Sequence, residues 1–94
     1  MYRLKFYFGD GTIEFGGRVP SPEKLYYNFD GLMDWDEYYE LYDKKLTPHQ
    51  LLEMAMELYK YLDKEYSRIE IVNDETGEVV DYIDEREVKN NGKK

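Results

Sequence analysis

Carboxylates are the side chains with the most chemistry to offer here, and they concentrate in one stretch. Between Asn28 and Asp43 the sequence reads NFDGLMDWDEYYELYD, with Asp30, Asp34, Asp36, Glu37, Glu40 and Asp43 and no basic residue. The rings of Trp35, Tyr38, Tyr39 and Tyr42 interleave with these acids. Three chemistries are open to so dense a set: a cation site, a general acid–base pair, or a surface that meets positive charge. A calcium loop of the EF-hand kind needs Gly at its sixth position and Glu at its twelfth. Counted from Asp34 those positions hold Tyr39 and Lys45, and counted from Asp30 they hold Trp35 and Leu41. The pattern fails in both frames, so no metal ligands are assigned. An acid–base pair needs a pocket that drives two pKa values apart, and no spacing here specifies one.

Nucleophilic chemistry has little to work with. The serines are Ser21, between two prolines, and Ser67. The single histidine, His49, falls in the first turn of a predicted helix, where an exposed or capping role is expected. Without cysteine there is no thiolate nucleophile, disulfide or zinc–thiolate site. Gly9 and Gly11 belong to a hairpin turn and Gly16-Gly17 leads toward prolines, so no phosphate-cradling loop precedes a helix. No catalytic residue and no cofactor is assigned, and the chain reads as a non-enzyme.

Charge narrows the partners. The formal charge is −8, and residues 21–46 hold seven acids against three bases. Such a surface repels phosphate, which disfavours direct nucleic-acid binding and anionic membranes, and it favours a basic protein. No apolar run approaches a membrane span, so a cytoplasmic protein is expected. An aromatic content of 17% and periodic apolar positions argue against disorder. The chain's 94 residues suit one domain, expected over 1–87, with a flexible basic tail over 88–94 (VKNNGKK).

The elements that must carry the acidic stretch follow from periodicity. Tyr2, Leu4, Phe6 and Phe8 alternate with Arg3, Lys5 and Tyr7, then Gly9-Asp10-Gly11 supplies a tight turn and Ile13 and Phe15 resume the alternation. Residues 23–29 suit one short helical turn. From Asp34, a candidate N-cap, Trp35, Tyr38, Tyr39 and Tyr42 fall at helical spacing. Thr47 and Gln50 form a capping box around Pro48, and Leu51, Leu52, Ala55, Leu58, Tyr59, Leu62 and Tyr66 mark an apolar stripe, predicting a helix over about 48–66. Two β-branched runs, 68–73 and 78–83, flank a turn ending at Gly77. The expected fold is α+β: two β-hairpins form a mainly antiparallel four-stranded sheet. A short acidic helix and one longer amphipathic helix lie between the hairpins.

Two accounts of the acidic stretch compete. In one, Trp35, Tyr38 or Tyr39, Leu41 and Tyr42 form a buried stripe and the acids merely solvate the far face. In the other the acids stay unpaired for a partner, since they run without a base until Lys44-Lys45, Glu37 finds none at 40 or 41, and Asp36 and Glu40 repel at the i+4 spacing. Were residues 30–43 wholly helical, six charges would fall about one per 3.3 Å, against about 3.4 Å along one DNA strand. Tyr and Trp are the rings enriched in interface hot spots.

In length, acidity, aromatic content and lack of cysteine the chain is similar to the small acidic proteins carried by phages and mobile elements. Some of these, the anti-CRISPR proteins among them, inhibit nucleases by occupying a basic nucleic-acid channel. The resemblance implies an inhibitor or regulator that mimics nucleic-acid charge and binds the basic cleft of a nucleic-acid-binding protein or nuclease. The expected partner-binding residues are Asp30, Asp34, Trp35, Asp36, Glu37, Tyr38, Tyr39, Glu40 and Asp43. The competing expectation is a structural or assembly protein that self-associates through its Tyr- and Trp-rich surface.

Overall fold

The computed structural model describes residues 1–59 and 66–84. Within them run β1 (Tyr2–Phe8), β2 (Ile13–Phe15), a 3-10 helix (Pro22–Phe29), α1 (Trp35–Lys44), α2 (Pro48–Tyr59), β3 (Tyr66–Asn73) and β4 (Val79–Asp84). The strands make one sheet in the order β2-β1-β3-β4, and every pairing is antiparallel. The two predicted hairpins are therefore joined edge to edge by β1 and β3, giving the expected α+β architecture. Turn chemistry holds as read: Gly11 and Gly77 adopt φ of 91° and 76°, a region that favours glycine. Asp10 fixes the first turn by accepting the Thr12 backbone N–H and hydroxyl at 3.0 and 2.6 Å.

Register decides which face of the sheet becomes the core. Leu4 pairs with Ile71, Phe6 with Ile69, and Ile69 with Ile83, so one row of buried side chains crosses three strands. Leu51, Leu52, Ala55 and Met56 of α2 and Leu25 and Phe29 of the 3-10 helix belong to the same core. Each such fully buried Leu, Ile or Phe contributes about 1.5–3 kcal/mol of transfer free energy.

Alternation alone leaves open which face β2 turns to the core, and register settles it: Ile13 and Phe15 lie opposite Tyr7 and Lys5, so they sit on the sheet face away from the core and are exposed. Arg3 covers the Phe15 ring there at 4.0 Å. Tyr66 is no part of the long helix. It opens β3, paired with Phe8 of β1. The predicted helix positions 60–65, the domain end at 87 and the tail 88–94 lie outside the described residues. Finally, residues 22–29 form two and a half turns of 3-10 helix rather than a single turn, an unusual length for that geometry.

The capping box at the start of α2 is present as read. The Thr47 N–H donates to Gln50 Oε1 at 2.9 Å, and the Gln50 N–H donates to Thr47 Oγ1 at 3.2 Å. Thr47→Ala is expected to cost about 1 kcal/mol, read as a lower urea midpoint with unchanged slope.

What holds the 3-10 helix against the sheet is Asn28. Its Oδ1 accepts the Gly17 N–H at 2.8 Å, while its Nδ2 donates to the carbonyls of Gly17 and Leu25, both at 3.3 Å. A Cβ on residue 17 would sit 2.9 Å from Asn28 Oδ1, so this close approach requires glycine. Several acids outside the 28–43 stretch are paired within the fold. Asp74 pairs with Arg3 at 2.9 Å and Arg18 at 2.7 Å, and Asp81 lies 3.1 Å from His49 Nδ1. Glu70 and Asp84 are buried beside Arg68, at 2.8 and 3.7 Å. Burial alone would lower the Arg68 pKa, but the Glu70 hydrogen bond and both carboxylate charges outweigh it, and the net shift is upward.

Candidate functional site

α1 is held to the rest of the protein by few contacts. Within it only Leu41 is buried, and Tyr38 is half-buried beside the core. Tyr26, buried in the 3-10 helix, receives Tyr38 at 5.8 Å and Tyr42 at 6.4 Å between ring centroids. The helix ends with Lys45 in the left-handed region at φ 51°, a conformation that costs a non-glycine residue about 1–2 kcal/mol. Asp34 occupies the N-cap position as predicted, but its side chain makes no capping hydrogen bond.

The stripe expected to be buried is mostly not. Trp35 is 65% exposed, and Tyr39 and Tyr42 are each 61% exposed. Trp35 and Tyr39 lie 6.0 Å apart and tilted by only 31°, so their faces form a shared surface. Among the described residues, none of Asp30, Asp34, Asp36, Glu37, Glu40 and Asp43 makes an ion pair with a Lys or Arg, in contrast to Asp74 and Asp84.

At about 100° per residue the α1 side chains sort into ridges. Trp35, Tyr39 and Tyr42, spaced i, i+4 and i+7, fall within about 60° of one another. Asp36, Glu40 and Asp43 repeat that spacing one residue later, forming a second ridge about 100° further round. Glu37 falls about 90° beyond the acid ridge, beside Lys44 and away from the rings. Asp30 follows the 3-10 helix and Asp34 precedes α1, so both border the face without belonging to a ridge. The acids therefore do not run along one helix from residue 30. Three carboxylates span about 10.5 Å, a sparser row than uniform helicity implies. Tyr42 is absent from the sequence-predicted set, although its position seven residues after Trp35 carries the signal.

A groove of about 480 Å³ opens where the ring ridge meets the 3-10 helix, lined by Tyr26, Leu41, Tyr42 and Leu46 together with Lys24, Asp43 and Lys45. It extends the exposed surface past Tyr42. The remaining chemistry-bearing groups lie elsewhere: His49 stands between Asp81 and Glu53 at 3.1 and 3.5 Å, and Ser67 Oγ donates to the Tyr7 carbonyl. Among the described residues no group of three His, Asp or Glu side chains is placed to hold a metal ion.

Burial holds the phenol of Tyr38 above its ordinary pKa, and the charge of Asp30 adds to the effect. Burial raises Tyr26 likewise, with Tyr27 contributing next. A raised phenol pKa favours the neutral form in the folded state. The associated stability is intact below about pH 10 and is lost as pH rises through the folded-state values. Denaturant midpoints measured across the tyrosine range are expected to fall on the alkaline side, and the paired variant Tyr26→Phe/Tyr38→Phe should flatten that limb.

Together these features define an antiparallel α+β domain that displays one helix with an aromatic ridge and an acidic ridge. No protein-family model, curated protein or solved structure matches the chain. Among the described residues no helix is long and apolar enough to cross a membrane.

Proposed function

We propose that this protein is a non-enzymatic interaction module that binds a basic cleft of a nucleic-acid-handling protein through α1, acting there as an inhibitor or regulator that stands in for nucleic-acid charge. The observation that carries the reading is the exposure of Trp35, Tyr39 and Tyr42 beside carboxylates that, among the described residues, make no ion pair with Lys or Arg. Exposed rings cost solubility and unpaired acids repel one another. Neither serves the fold, and both serve a partner rich in Arg and Lys.

Self-association through the same rings is the weaker reading. A two-fold contact would enclose the acid ridges of both chains in one interface, since it uses the same patch on each. That juxtaposes like charges at the contact.

Two measurements test the proposal together. Binding to the basic protein captured from a host lysate should weaken steeply with added salt, and a DNA or RNA oligonucleotide should displace the acidic chain. Salt-insensitive capture, or a partner that holds nucleic acid and this protein at once, would overturn it.

A further inference from the structure

We infer that the α1 face selects arginine over lysine, so that its partner presents a guanidinium group to Tyr39; this inference rests on the reading of α1 as a docking face for a basic protein. Asp36 stands three residues before Tyr39 and Asp43 four residues after it, the spacings at which helix side chains are neighbours. The exposed Tyr39 ring is therefore flanked by two exposed carboxylates. An ammonium group can sit over a ring or meet a carboxylate, but it is compact and strongly hydrated. A guanidinium is planar and more weakly hydrated. It stacks on a ring with its face while its edge donates to an adjacent carboxylate.

The protein already uses this arrangement internally. Arg68 lies over Tyr82 at 3.9 Å while its Nε donates to Glu70 Oε2 at 2.8 Å. Arg3 likewise lies over Phe15 at 4.0 Å and pairs with Asp74 by charge, its Nε 2.9 Å from Oδ1 but without an aligned hydrogen bond. Around Tyr39 the ring and the acids are present, and α1 itself contains no Arg.

Trp35 is the chain's one tryptophan and its ring lies 6.0 Å from that of Tyr39, so its fluorescence reports on the site. The experiment titrates the full chain with oligo-arginine and oligo-lysine peptides of equal length, at matched ionic strength. Oligo-arginine is expected to bind at least about tenfold more tightly and to shift the Trp35 emission. In Tyr39→Leu/Tyr42→Leu the preference should collapse while salt-dependent binding of both peptides persists. In Asp36→Asn/Glu40→Gln/Asp43→Asn both peptides should be lost. Equal affinities for the two peptides in the unmodified chain, both weakening with salt, would overturn arginine selection and leave the acidic docking face standing. Failure of either peptide to bind a folded chain at low salt would overturn both.

Discussion

Converting Asp36 and Glu40 together to lysine is expected to weaken binding of oligo-arginine by at least about a hundredfold, while Glu37→Lys changes it by less than about threefold. All three positions lie in the same ten-residue helix and are exposed. Composition does not tell them apart, whereas azimuth does. Asp36 and Glu40 share the acid ridge next to Trp35 and Tyr39, and Glu37 looks away beside Lys44. A reversed charge on the ridge both removes an attraction and adds a repulsion at close range, and close interfacial charge pairs couple by about 1.5–7 kcal/mol.

The fold should tolerate the change. Asp36 and Glu40 repel each other now, and lysines would do the same. The added costs are a cation in the first turn of α1, about 0.3–1 kcal/mol against the helix dipole, and a like-charge pair of residue 40 with Lys44 at i+4, a few tenths of a kcal/mol more. Circular dichroism should therefore show an unchanged helix, with binding followed by Trp35 emission at fixed ionic strength. Equal losses from Glu37→Lys and from the double reversal would show that net charge alone matters and that the ridge does not exist as a site.

The sheet was legible because its signals are local and mutually consistent. Alternation in 2–8, turn glycines at 11 and 77, and a capping box at Thr47 and Gln50 each specify backbone geometry within a few residues, and all three are present. What escaped depended on registration between distant segments. Ile13 and Phe15 alternate as well as Leu4 and Phe6 do, but only the pairing of Lys5 with Phe15 reveals that they face away from the core. Tyr66 fits a helical stripe by spacing, and its pairing with Phe8 places it in a strand.

The candidate site was legible in composition and not in arrangement. Uncompensated acids beside rings could be read from residues 28–43, yet burial divides those rings unequally. Tyr38 is half-buried beside Tyr26, Tyr42 touches the same ring with most of its surface in solvent, and Trp35 and Tyr39 are mostly exposed. Which rings a short helix buries depends on what lies beneath it. Here that is the 3-10 helix, placed by its buried Leu25 and Phe29 and by the Asn28 hydrogen bonds to Gly17 eleven residues earlier.

Phe29→Ala should cost about 3–5 kcal/mol of stability, and Trp35→Ala should cost less than about 1 kcal/mol. Both residues are large aromatics of the same acidic stretch, six positions apart. Phe29 has no exposed surface and belongs to the core with Leu25, Leu52 and Ile71. Deleting its ring removes the transfer free energy and leaves a cavity under the end of the 3-10 helix, a large share of the roughly 5–15 kcal/mol that holds such a domain together. Trp35 touches the rings of Tyr38 and Tyr39 at 6.0 Å each and is otherwise in solvent, so its deletion forfeits only edge and tilted ring contacts. Urea unfolding of the two variants beside the unmodified chain makes the comparison, with near-ultraviolet circular dichroism reporting whether the tyrosine cluster survives. A Trp35→Ala loss as large as that of Phe29→Ala would mean that Trp35 is a fold residue, and the docking face would lose its anchor. A small loss means that the chain maintains its largest ring, bordered by unpaired carboxylates, at a position where folding does not require it.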